Sequence, residues 1–364
     1  MLSLLILYGC AGTPATPVFD RSTIDLLDAV MTEKMASAES SGMILAVYYP
    51  GHGEFVSAKG TSETASGTAM NADYLFRIGS LTKTFTATAV LQLVDEDCIR
   101  LDDTIDKYVS GIPSGDAITI KELLMHTSGL PEYTNNEDMW TIIAADRGHS
   151  FTPQELIDYA LENPITSAPG TEYHYCNTNY ILLGMVFEKA NKEGETLAAG
   201  IKRRIIDRLG LSNTYFPADS SFPVPYIHGY LAFSSATPED WSIESPSFSW
   251  AAGCVISNIR DVRTYFQALY DGTLLSDDTQ ALKLSEWVDC GIAALPTHKY
   301  GLGWFQVAGF YGHSGSIPGY LNMAMYDPES GATIMFMFNN SINGDVIFST
   351  FLRVLRIIMP DRPY

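Results

Sequence analysis

At 364 residues the chain is longer than one simple domain needs, and two subdomains sharing a cleft would suit that length. Hydrophobic residues at 46% and charged residues at 18% exclude a disordered or fibrous protein. The 42 acidic against 22 basic residues give a formal net charge of −20, a surface that repels nucleic-acid phosphates and anionic lipid, so no nucleic-acid partner is expected.

Residues 1–9 form a short apolar run that closes on Cys10, Ala11 and Gly12. The run is too short to span a bilayer and reads as the apolar region of a signal peptide. Leu7-Tyr8-Gly9-Cys10 is similar to a bacterial lipoprotein cleavage box, in which the cysteine is lipidated. The expectation is export to the periplasm or cell surface, with membrane anchoring through a lipidated Cys10. The other cysteines, Cys98, Cys176, Cys254 and Cys290, form no C-x-x-C pair, so neither a zinc site nor a redox motif is expected.

Proline and glycine make residues 11–20 a linker. Ile24, Leu27, Met31 and Met35 then recur at helical spacing. Met43 to Tyr49 reads as a strand ended by Pro50-Gly51, with Glu54 to Ala58 as its hairpin partner. Leu81 to Val94 is apolar nearly all round, as in a buried helix. Capping boxes at Thr119 to Glu122 and Thr152 to Glu155 open two shorter helices, and a further apolar helix is expected over Asn179 to Lys192. Tyr300 to Val307, Met323 to Tyr326 and Thr333 to Phe338 read as antiparallel strands, followed by a helix from Asp345 to Met359. Strands at both ends and helices between them imply an α+β fold, an antiparallel sheet flanked by helices with an inserted all-helical subdomain. The expected division is a segment and linker over 1–20 and a catalytic domain over 21–364. Its sheet part would take about 21–80 and 245–364, and its helical part about 81–244.

Three elements carry chemistry. Ser80 and Lys83 stand three residues apart at the start of the buried helix, a spacing that puts the amine beside the hydroxyl. A serine hydroxyl becomes a nucleophile when a neighbour takes its proton, and a helix start offers free N–H groups to a developing anion. Tyr175 and Asn177 precede the second buried helix. The phenol could exchange protons if nearby cations depressed its pKa, and the amide could hold a substrate carbonyl. His313, Ser314, Gly315 and Ser316 lie on a candidate strand where glycine permits close approach, so that the Ser316 N–H could join that of Ser80 in an oxyanion hole. No H-E-x-x-H, phosphate loop or dinucleotide fingerprint is present, and no metal or organic cofactor is implied.

The order of these motifs resembles a known family. Phe76 through Lys83, Leu91 through Glu96, His126-Thr127-Ser128-Gly129-Leu130, Tyr175-Cys176-Asn177, Leu209 through Thr214, Tyr300 through Trp304 and Gly312 through Gly315 look like the serine β-lactamase and penicillin-binding superfamily. Within it the chain is most similar to class C β-lactamases and, closer still, to secreted serine D-alanyl-D-alanine carboxypeptidases, which carry a histidine where His313 stands. The resemblance implies a β-lactamase/transpeptidase-like fold and an acyl-enzyme on Ser80, with Lys83 and Tyr175 transferring protons. It also implies that Asn177, His313, Ser314, Gly315 and Ser316 bind substrate and that Trp250 walls the cleft. The substrate would be a peptidoglycan stem peptide, a β-lactam or an ester. Two positions depart from the pattern. Cys176 stands where serine is usual, and Trp304 to Gly312 lacks the arginine that holds a terminal carboxylate in the similar carboxypeptidases, which makes an esterase or amidase the competitor. If a protonated His313 held an anionic substrate, activity would fall between roughly pH 7 and 8.

Overall fold

The computed structural model describes residues 18–232, 237–291 and 298–362. Cys10 and the lipidation expected there lie outside the described residues. Within them no helix is long and apolar enough to cross a membrane, and Cys98, Cys176, Cys254 and Cys290 are unpaired.

A nine-stranded sheet organises the molecule. From one edge it runs Thr68–Ala69, Gly53–Glu63, Gly42–Tyr49, Thr333–Phe338, Tyr320–Tyr326, Phe310–Ile317, Phe305–Val307, Lys299–Tyr300 and Val288–Asp289. Each neighbouring pair is antiparallel. The first long strand pairs with one of the last, Met43 opposite Phe338 and Leu45 opposite Phe336, so the early and late parts of the chain build the sheet together and the helical stretch comes between them in sequence.

Both sheet faces are covered. Leu45, Met323, Phe336 and Phe338 point to one side, where Leu27 and Met31 of helix Arg21–Ser37 meet Phe351 and Leu355 of helix Val346–Ile358. Ile44, Ala46, Ala324, Met335 and Met337 point to the other and join the core of the helical part. Burial on two faces is why these strands read as unbroken apolar runs rather than alternating ones.

The expected strand over Tyr300 to Val307 is two strands. Gly303 adopts φ 86°, Gly301 N–H donates to the Trp304 carbonyl, and the chain turns back so that Phe305 pairs with Tyr300. Helix Ile259–Tyr270 is absent from the sequence reading, although Ile259, Val262, Phe266 and Leu269 are buried at helical spacing.

Two buried helices bring the site together. Helix Thr82–Asp95 packs beside helix Asn177–Ala190, and both touch the short helix Trp250–Gly253. Ser80 itself belongs to a 3₁₀ turn, Gly79–Leu81, that leads into the first of them. That turn is anchored on both flanks: Ile78 N–H donates to the Val255 carbonyl at 3.0 Å, and Val255 N–H donates to Thr82 Oγ1 at 3.0 Å.

Candidate active site

Strand Phe310–Ile317 lies directly on the Ser80 turn, and two glycines permit it. A Cβ on Gly315 would stand 2.1 Å from the Ile78 carbonyl oxygen and 2.3 Å from Asn322 Oδ1. Gly79 adopts φ 53°, and a Cβ there would meet the Ser316 backbone nitrogen at 3.0 Å. Removing both side chains lets the backbones of Ser80 and Ser316 face one space.

Lys83 is fully buried and donates to Ser80 Oγ at 3.0 Å, Asn177 Oδ1 at 2.6 Å and the Ala252 carbonyl at 2.9 Å. Those three acceptors use every proton of an ammonium group. Loss of water drives its pKa down from 10.5 to about 7, and the Glu132 carboxylate opposes the fall. The amine therefore exchanges its proton near neutrality.

Glu132 sets the pose of Asn177. Its Oε2 accepts from the Asn177 backbone N–H at 2.5 Å and from Nδ2 at 3.1 Å, while Oε1 accepts from Thr134. With Nδ2 so held, Oδ1 is the atom presented to Lys83.

Tyr175 places its ring 4.9 Å from Lys83 Nζ and its hydroxyl in hydrogen-bond contact with Ser80. The residue is 39% exposed along the cleft, yet desolvation holds the phenol well above its ordinary value, with the Ser80 bond pulling the other way. Nearby cations thus do not depress the phenol, the condition on which its service as a base depended; of the two groups, it is Lys83 that titrates near pH 7. Behind Tyr175 lies buried His126, its ring 4.3 Å away and its Nδ1 accepting from the Cys176 N–H at 3.0 Å. Cys176 turns its thiol toward the Leu130 and Pro131 carbonyls, and burial pushes it up to about 12.

Two further expectations need correction. Buried His313 has Nδ1–H donating to the Ser314 carbonyl at 2.5 Å, and its Nε2 accepts from the Tyr300 hydroxyl at 2.9 Å. Burial lowers its pKa from 6.5 to about 3, so it is uncharged at neutral pH and cannot hold an anion by charge. Trp250 lines neither cavity beside Ser80, because its ring lies over Gly184, where an added Cβ would stand 2.8 Å from it.

Two cavities flank Ser80, and Tyr175 and Ser316 border both. The first, of about 390 Å³, has Asn177, Tyr133, Trp140 and Phe248 in its walls. The second, of about 430 Å³, has Tyr173, Tyr300, Phe305, Phe348, His298 and Cys290. Ser314 reaches the second, while Gly315 only supplies the close approach. Neither cavity is lined by an arginine, lysine, aspartate or glutamate among the described residues. Sequence reasoning missed Glu132, Trp140 and His298, and named His126 only as part of a motif, with no role. His126 and Glu132 flank the Thr127-Ser128-Gly129-Leu130 run, the one local signal available.

Known proteins resemble this chain over most of its length. A D-stereospecific amidohydrolase from Streptomyces sp. superposes with a TM-score of 0.81 at 28% identity, over 93% of this chain and 98% of that one. The D-amino acid amidase of Ochrobactrum anthropi SV3, complexed with L-phenylalanine amide, gives 0.81 at 25%, over 94% and 100%. Penicillin-binding protein 4 of Amycolatopsis lactamdurans is 26% identical, over 86% of this chain and 84% of its own. The chain spans 62% and 64% of the length of two Bacillus subtilis relatives. The Beta-lactamase family profile matches residues 27–352, which takes in the Ser80 turn, both buried helices and the strand at Gly315, and the chain belongs to that family of serine β-lactamases and penicillin-binding proteins.

Proposed function

We propose that this protein is an acyl-serine hydrolase of small amides or esters, with Ser80 as nucleophile. The observation that carries the reading is the 3.0 Å contact between Ser80 Oγ and a buried lysine that exchanges its proton near pH 7. Neutral Lys83 takes the Ser80 proton as Oγ attacks the carbonyl carbon. The N–H groups of Ser80 and Ser316 hold the oxyanion. Tyr175, still protonated, gives its proton to the leaving nitrogen or oxygen and regains one from Lys83 through the Ser80 side. Water then cleaves the acyl-enzyme by the reverse proton path.

The uncharged lining of both cavities favours an amide or ester over a peptide with a free terminal carboxylate. A carboxylate there would lose its hydration without gaining a cation. D-amino-acid amides are the first substrates to try, since two structural neighbours are named for D-amino-acid or D-stereospecific hydrolysis. The test follows intact mass through time with benzylpenicillin, and ammonia release from D-phenylalanine amide, in the wild type and in Ser80→Ala. A Ser80-dependent adduct, or amide turnover lost in the variant, supports the reading. Labelling or turnover that survives in Ser80→Ala sinks it, as does a wild type inert toward both compounds.

A further inference from the structure

His298 is a buried side chain, 5% exposed, in the wall of the cavity that opens on Ser80 from the Ser314 side. Neither of its ring nitrogens has a hydrogen-bond partner among the described residues. Burial lowers its pKa from 6.5 to about 4, so at neutral pH the ring offers one N–H and one lone pair. Its neighbour His313 has both nitrogens engaged and offers nothing. Around His298 the wall is aromatic: Phe305 lies 5.1 Å and Phe348 5.3 Å away, with Tyr173 and Tyr300 completing it. A buried imidazole with two bare nitrogens costs stability unless something binds it, and functional sites are where such costs concentrate.

We propose that this cavity is the leaving-group subsite, and that it selects an apolar, aromatic-sized residue whose terminal carboxyl is capped, read by a hydrogen bond to His298. The inference rests on the acyl-serine reading above and deepens it. Asn177 faces only the other cavity, where the N–H left over from its bond to Glu132 can hold a carbonyl of the acyl part. The leaving part then passes Tyr175 into the second cavity. Its volume of about 430 Å³ falls in the range of small-ligand sites. A capped end exchanges hydrogen bonds with the neutral imidazole, whereas a carboxylate would meet a ring with one donor and no charge. Simple amides, which lose only ammonia, leave this cavity unused.

The test follows release of D-phenylalanine amide from D-phenylalanyl-D-phenylalanine amide by chromatography. It is set beside cleavage of the same dipeptide as free acid and of D-phenylalanine amide. The wild type is expected to favour the capped dipeptide over the acid by at least about tenfold in kcat/KM, the worth of one good hydrogen bond. His298→Ala is expected to lower the ratio of capped dipeptide to simple amide about tenfold, and His298→Gln, which keeps a donor and an acceptor, to restore most of it. Equal cleavage of acid and capped dipeptide overturns the inference, and that comparison needs no variant to fold. So does an unchanged ratio in His298→Ala. Turnover of the simple amide alongside either result leaves the acyl-serine reading standing, whereas a wild type inert on all three overturns both.

Discussion

Two lysines in this protein are equally buried, and their surroundings differ in almost every other respect. Lys83 and Lys283 are both fully enclosed, and loss of water lowers both from 10.5 to about 7. Lys83 has three oxygen acceptors, a carboxylate in its field and an open cavity beyond Ser80. Lys283, on helix Asp277–Ser285, has no hydrogen-bond partner among the described residues and rests 4.4 Å from the centre of the Trp304 ring. A shifted pKa therefore marks burial, and only the partners and the access route separate a working amine from an enclosed one.

The comparison breaks most sharply at Lys83. Lys83→Met is expected to lower kcat/KM by about 10³-fold or more, since Ser80 loses its proton acceptor while the cavity keeps its shape. A loss below tenfold would remove Lys83 from the proposed chemistry. Gly315→Ala comes next. The new methyl stands 2.1 Å from the Ile78 carbonyl and must push the strand off the Ser80 turn, carrying the Ser316 N–H with it. Displacing one oxyanion donor costs about 10²-fold in kcat. Full activity in Gly315→Ala would mean that this strand plays no part in holding the oxyanion.

Much of this was legible in the sequence, for local reasons. Ser80 and Lys83 share a helical face at a spacing of three, and Thr119 and Thr152 form the capping boxes their sequences announce. The unbroken apolar run Thr333–Phe338 marks a strand buried on both faces, and its bounds are those expected. What stayed hidden depends on distant chain segments. Glu132 reaches Asn177 across 45 residues, and His298 becomes buried against Phe305 and Phe348. The neutrality of His313 likewise follows from its enclosure, which no motif encodes. Trp250 adopts φ 26°, and its ring settles over Gly184 rather than in the cleft.

The pH profile sharpens the contrast further, and it reverses the fall expected from a charged histidine. Lys83 must be neutral to accept the Ser80 proton, so kcat/KM is expected to rise with pH through an apparent pKa near 7, falling about tenfold per unit below it. His313 titrates too low to contribute, and Tyr175 too high. Glu132→Gln removes the charge that favours the ammonium form, so the rising limb is expected to move to lower pH as the plateau falls with the loosened Asn177. A limb that stays in place would separate Glu132 from the titration of Lys83.

The smallest effect tests the other half of the comparison. Lys283→Met replaces an unpaired buried amine with an apolar chain of similar length, a change that is often neutral or stabilising when the lost partner contributes nothing. No change in kcat/KM is expected. The stability difference should depend on pH in a definite sense. The folded pKa lies below the unfolded one, so between about pH 7 and 10 the unfolded chain holds one more proton at this site, and wild-type stability rises with pH. Below about pH 7 both states are protonated and the contribution is flat. Urea titrations across that window should show the wild type gaining roughly 1 kcal/mol per pH unit relative to Lys283→Met. The variant's advantage should be largest at pH 6 and shrink toward pH 10. Parallel pH profiles would mean that Lys283 finds a partner the aromatic wall does not supply, and its likeness to Lys83 would then extend beyond burial.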